Sequence, residues 1–232
     1  MRPVSQQFTE QGFRPPQQER SRASLRKVLA SAEHVLADRG LEEFTIAAVA
    51  EQAGMSVGTI YRRFAGKDQL LYAVKDQLLG QLEADVGAAL RCSPPGLREI
   101  FGAFTQALAR TFAQHDRIFP ELLDAQRSDG RDRGLEALSA IQQALVEAAA
   151  SGIEEIHRPD PVPAVRMAAR TIIGSCVHRA ATCRFWSDDL SWTTWATETA
   201  EMALAYLTSP GSPGEPPRKT PKGRAEHDVH QA

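Results

Sequence analysis

The stretch Thr45-Ile46-Ala47-Ala48-Val49-Ala50-Glu51-Gln52-Ala53-Gly54-Met55-Ser56-Val57-Gly58-Thr59-Ile60-Tyr61-Arg62-Arg63-Phe64 decides the fold. Ile46, Val49, Ala50 and Ala53 recur at three- and four-residue spacing, the period of a buried helix face. Gly54 stops that helix, because a residue without Cβ enters the φ > 0 turn at little cost. Ser56 stands where a hydroxyl can N-cap a second short helix. Small Ala50 lets the two helices approach and Ile60 buries inward. Val57, Thr59, Tyr61 and Arg62 are left to face outward. Helix, glycine turn, helix is the layout of the DNA-binding helix-turn-helix.

Outward from this segment the pattern stays helical. Leu25, Val28, Leu29, Ala32, Val35 and Leu36 predict a helix that Gly40 ends. Leu70, Leu71, Val74, Leu78 and Leu82 predict a long one, running to the Pro94-Pro95 break. Leu97, Ile100, Phe101, Phe104, Leu108 and Phe112 form another apolar stripe, followed by shorter helices over 118–126 and 135–149. After the break Arg158-Pro159-Asp160-Pro161, Asp160 is placed to cap a helix reaching about residue 184. A last helix spans 191–207. Period-2 alternation is nearly absent and no repeat emerges. The expected fold is all-α with about nine helices. It divides into a flexible arm (1–19), a helix-turn-helix DNA-binding domain (20–66), a larger helical domain (67–207) and a disordered tail (208–232).

Composition narrows the class. The chain has 232 residues, 42% hydrophobic and 24% charged, enough to build a core and remain in solution. No apolar run nears the roughly 20 residues that span a bilayer, and no basic and apolar leader opens the sequence. Three cysteines make no disulfide framework. A cytoplasmic protein with no membrane contact is expected. Residues 1–67 hold 10 Lys and Arg against 7 Asp and Glu, whereas 68–207 hold 13 against 19. A basic end on an acidic body suits an anionic partner at that end only.

The motif resembles the TetR (tetracycline-repressor-like) family of transcriptional regulators. The family pattern of Thr-apolar, Val/Ile-Ala, Ala-Gly-Val/Met-Ser, Gly-Thr/Leu-Ile/Leu-Tyr and Phe is met from Thr45 to Phe64, and Gly66-Lys67-Asp68-Gln69-Leu70 continues it. Arg63 departs, standing where His or Tyr is more usual. The resemblance implies double-stranded DNA with a pseudo-palindromic operator as partner. Thr45, Tyr61 and Lys67 then sit where the family touches phosphates, with Ser56 capping and reaching phosphate too. Val57, Thr59 and Arg62 stand where base edges are read, and one of Arg62 and Arg63 is expected on DNA. Arg14, Arg20 and Arg22 read as part of a solvated tail, with a minor-groove arm as the alternative.

For the body, the resemblance implies a homodimer and an effector cavity. Val165, Ala169, Ile172, Cys176 and Ala180 project within about a 60° arc, a small-residue stripe for close helix approach. Trp195, Thr199, Met202 and Tyr206 share a face of the last helix. Both faces are expected in a four-helix interface about a two-fold axis; packing inside one subunit is the alternative. Fold analogy alone places a small hydrophobic effector among Phe101, Phe104, Leu108, Leu122, Ile141, Leu145 and Val177. Enzymatic chemistry, a metal and a cofactor are not expected. On one helix His178 points about 160–200° away from Cys176 and Cys183, so the three cannot share an ion. The two cysteines lie about 10 Å apart along its axis, too far for a disulfide. The expected function is repression relieved by the effector; the alternative is an activator, or a regulator gated by a partner protein.

Overall fold

Capping chemistry sets the first helix ends, in a computed structural model that describes residues 15–122, 131–183, 185–186 and 188–210. Helix α1 (Pro15–Arg39) stops where Gly40 takes φ +70°. Helix α2 (Ile46–Ala53) starts on Thr45, whose Oγ1 accepts the Ala48 N–H at 3.1 Å, and ends on Gly54 at φ +58°. Helix α3 (Val57–Tyr61) starts on Ser56, whose Oγ accepts the Thr59 N–H at 3.3 Å. There follow α4 (Lys67–Cys92), α5 (Leu97–Gln114), α6 (Phe119–Leu122), α7 (Arg131–Ala149), α8 (Pro161–Thr182) and α9 (Trp192–Thr208). These are the nine α-helices among the described residues, with a 3-10 segment, Ala150–Glu155, between α7 and α8.

Two local readings change. The last five residues of the expected arm belong to α1, whose first turn tolerates Pro15 and Pro16 because its N–H groups have no helical acceptor. Arg14, the side chain of Arg20 and residues 211–232 of the tail lie outside what is described. Asp160 occupies the N-cap position of α8 without a side-chain cap bond; Pro161 sets that first turn instead.

The head, α1 to α3, closes around Val28, Leu36, Phe44, Val49 and Ile60, all at 0% exposure. Leucines and valines of α4 from Leu70 to Leu90 continue this core into the body. There α5 is central, packed on α4, α7, α8 and α9. Its aromatic side fills that space. Phe101, Phe104, Leu108, Ile141 and Leu145, expected around an effector, are buried in one apolar cluster, with Leu122 and Val177 half-buried against it. None of the seven lines the cavity of about 480 Å³ that opens between α5, α9 and the end of α4.

The small-residue stripe of α8 also turns out differently. Val165, Ala169, Ile172, Cys176 and Ala180 are each 3% exposed or less within the single subunit. Helix α8 is apolar on two sides, and α5, α7 and α9 cover the side whose short side chains let them approach. Trp195 goes with that side, buried and donating from Nε1 to Ser175 Oγ at 3.1 Å. The outward surface is instead Met167 (56% exposed), Thr171 and Met202 (68% exposed), beside half-buried Thr199 and Tyr206. Between them runs a mostly apolar groove of about 270 Å³.

Candidate nucleic-acid interface

One surface of the head gathers the residues the motif singles out. Thr45, Ser56, Val57, Tyr61, Arg62 and Arg63 are exposed, and Thr59 and Lys67 are half-buried. Their arrangement follows from the two caps: each cap hydroxyl sits at a helix start, beside N–H groups with no helical acceptor. Along α3 the hydroxyls and a guanidinium form a row. Ser56 Oγ lies 2.9 Å from Thr59 Oγ1, which accepts from Arg62 Nη2 at 3.3 Å. The row holds Arg62 along the helix while leaving most of its five donors open, and Val57 presents an apolar contact beside it. Tyr61, 54% exposed, has little packing reason to be aromatic and offers its hydroxyl outward.

Two of the expected DNA contacts carry structural duties as well. Arg63 Nη2 donates to the carbonyl and to Oγ of Ser21, at 3.1 and 2.9 Å, fastening the end of the α3 turn to α1. Lys67 Nζ donates to the Leu41 carbonyl at 2.7 Å and lies 5.8 Å from the centroid of the Phe44 ring. It ties the start of α4 to the α1–α2 connection and keeps two N–H donors for another acceptor. Ser21 carries no motif signal; a single serine far away in sequence announces no partner. Arg22 and Arg26, one turn apart on α1, are exposed and make no ion pair among the described residues. Arg22 thus stands on a helix, not in a tail.

The cysteine and histidine candidates stay apart. Cys176 is buried, and burial raises its thiol pKa well above the usual range. His178 is exposed and meets Trp186 edge-on at 6.2 Å, while Cys183 is half-buried. Among the described residues no three His, Cys, Asp or Glu side chains are grouped to hold a metal. No described helix is long and apolar enough to cross a membrane.

The head has known counterparts. Residues 28–74 match the family described as bacterial regulatory proteins, tetR family. The HTH-type transcriptional regulator BetI of Brucella canis is 33% identical over 66 residues, which cover 28% of this chain and 33% of that protein. BetI of Rhizobium meliloti is 31% identical over 113 residues, 45% of this chain and 53% of that one. The chain therefore spans a third to about half of the length of these curated relatives. At the level of fold, the regulator FadR of Bacillus subtilis in complex with stearoyl-CoA superposes with a TM-score of 0.61 at 19% identity, covering 79% of this chain and 99% of that one. The head motif, its caps and this match together show that residues 28–74 form a DNA-binding head of the kind found in bacterial regulatory proteins of the tetR family.

Proposed function

We propose that the protein is a sequence-specific DNA-binding transcriptional regulator that acts as a homodimer on a pseudo-palindromic operator and represses until a small hydrophobic effector releases it. The row Ser56–Thr59–Arg62 on an exposed, capped α3 is the observation that carries the DNA-binding part. In this reading α3 enters the major groove. Arg62 and Val57 meet base edges, while Thr45, Tyr61 and the open donors of Lys67 hold phosphates. The second copy docks on the outward face of α8 and α9, around Met167, Thr171, Met202 and Tyr206, where the apolar groove otherwise meets water. The regulators with a similar head sequence in Brucella and Rhizobium support the reading of the head.

The effector rests on less. The FadR of Bacillus subtilis, which shares the fold, forms a complex with stearoyl-CoA, and this supports an apolar ligand for the architecture. A second reading, gating by a partner protein or action as an activator, is favoured by one observation: Phe101, Phe104, Leu108, Ile141 and Leu145 are packed together in one apolar cluster.

Selection of bound sequences from random DNA tests the first part. The expected result is a dyad-symmetric site with half-sites about 34–36 Å apart. Selected sites without dyad symmetry, or a monomer at micromolar concentration, overturn it.

A further inference from the structure

Midway along α4, a polar clasp joins the head to the body. Arg133, in the first turn of α7, donates through Nε to Asp76 Oδ1 at 2.6 Å and through Nη1 to Glu83 Oε1 at 2.7 Å. Asp76 and Glu83 stand seven residues apart, two turns along one face of α4. Gly80 lies between them on that face, and a Cβ there would stand 3.9 Å from Arg133 Nη2. A longer side chain at 80 would compete for the ground that the guanidinium occupies.

Arg133 is only 14% exposed, and a cation in the first turn of a helix opposes the helix dipole. Two carboxylates on the neighbouring helix give it a reason to be there. Its hydrogen bonds to Glu83 and Asp76 raise its pKa further, so the guanidinium stays charged at every working pH. One residue past Asp76, Gln77 Nε2 donates to Glu33 Oε1 of α1 at 2.7 Å. The same turn of α4 is thus bonded to the head on one side and to the body on the other. The rest of the seam between α4 and the body is mostly apolar, at Leu78, Leu79, Leu82 and Val86, with one longer polar contact in which Thr111 Oγ1 donates to Asp85 Oδ2 at 3.5 Å. Apolar burial is non-directional, whereas a planar fork on two carboxylates fixes both the rotation of α4 and its shift along the axis.

We propose that Arg133 is a positioning residue for operator binding: its grip on Asp76 and Glu83 sets the tilt of α4 on α7, and with it the separation of the two heads in the dimer. This rests on the dimeric regulator reading above. Removing the grip leaves each head folded, because Arg133, Asp76 and Glu83 take no part in its core at Val28, Phe44 and Ile60. The pair of heads then accommodates more than one half-site spacing.

The test uses the full-length protein on its selected operator and on two derivatives, with one base pair inserted or deleted at the dyad. Arg133→Met is expected to cut the preference for the native spacing by about 5-fold or more, the lower end of coupling between distant sites. Base preference within a half-site stays unchanged. The double variant Asp76→Asn with Glu83→Gln is expected to do the same, and combining it with Arg133→Met to add little, as for groups acting in one contact. A purely structural role would weaken all three spacings alike.

A folded Arg133→Met that keeps the native-spacing preference within twofold of wild type overturns the proposal. Should that variant not fold, Arg133→Lys, which keeps the charge and loses the fork, decides by the same ratio. A wild type that binds single half-sites without regard to spacing defeats the dimeric reading itself, and the clasp falls with it.

Discussion

The head and the body of this chain are built from the same material, amphipathic helices, yet they answer differently to inspection. In the head, each helix end carries its own chemical mark: Thr45 and Ser56 as caps, Gly54 as the left-handed turn. Each apolar residue there has one place to go, because α2 and α3 are short and have a single covered side. In the body, α8 is apolar on two sides and two surfaces compete for each. One is the interior of its own subunit; the other is, in the proposed dimer, a second copy. Local signals settle where a helix begins and ends. They do not settle which of two greasy faces goes to which neighbour.

The difference can be broken or sharpened by two substitutions on α8 and α9. Ile172, 1% exposed, lies on the inner side, and Ile172→Ala is expected to cost about 2–5 kcal/mol of stability. Its lowered Tm should be the same deficit at every protein concentration. Were Ile172 an interface residue, the deficit would shrink as concentration rises and dimers refill. Met202, 68% exposed, is the counterpart on the outer side. Met202→Glu should leave the subunit folded and weaken dimerisation about 10–100-fold, or roughly 1.4–2.8 kcal/mol. Sedimentation over a concentration series reads this directly, and an unchanged dimer would move the interface elsewhere.

Much of the fold was legible, and the reasons it ended where it did are physical. The helix periods and both glycine stops are written in neighbouring residues, so the all-α class and the head emerge from the sequence. The spacing from Val165 to Ala180 marks a packed face without naming its neighbour, because small residues favour close approach to any helix, and within the subunit that face is buried. The effector walls rested on analogy, and the aromatic side of α5 closes on its own core. Of the residues expected on DNA, Arg63 and Lys67 are marked by their places in the motif, which say nothing of their partners within the chain. Their bonds to Ser21 and to the Leu41 carbonyl bridge 42 and 26 residues, a distance at which spacing carries no signal.

Within the head, the comparison predicts a split between reading and holding. Arg62→Ala should relax preference at one operator position by about 1–3 kcal/mol, seen as a flattened position in selected sites. Lys67→Ala should weaken all sequences alike and lower the salt slope by about one unit. It should also lower Tm in the absence of DNA, because the Leu41 carbonyl loses a charged donor. A Lys67→Ala protein with normal Tm would show that the bond to Leu41 contributes nothing; one with a changed preferred sequence would overturn the division of roles.

The smallest effect lies at the seam between the two regions, at Glu33. Burial raises its pKa, and its Oε1 accepts from Gln77 Nε2. A carboxyl whose pKa is raised by folding binds more protons in the folded chain than in the unfolded one. Its contribution is therefore fully present below the unfolded value, near 4.3, and is lost as pH rises through the folded value. At pH 7 the wild type carries a half-buried charge that Glu33→Gln removes, while the glutamine carbonyl can still accept from Gln77. The variant is expected to match wild type near pH 4 and to exceed it at pH 7 by a small margin, about 0.5 kcal/mol or less for so solvent-accessible a group. Urea unfolding at the two pH values measures the difference. A variant less stable than wild type at pH 7 would mean that the charged hydrogen bond outweighs its desolvation, so that the seam, like the head, is held by a specific contact and not by burial alone.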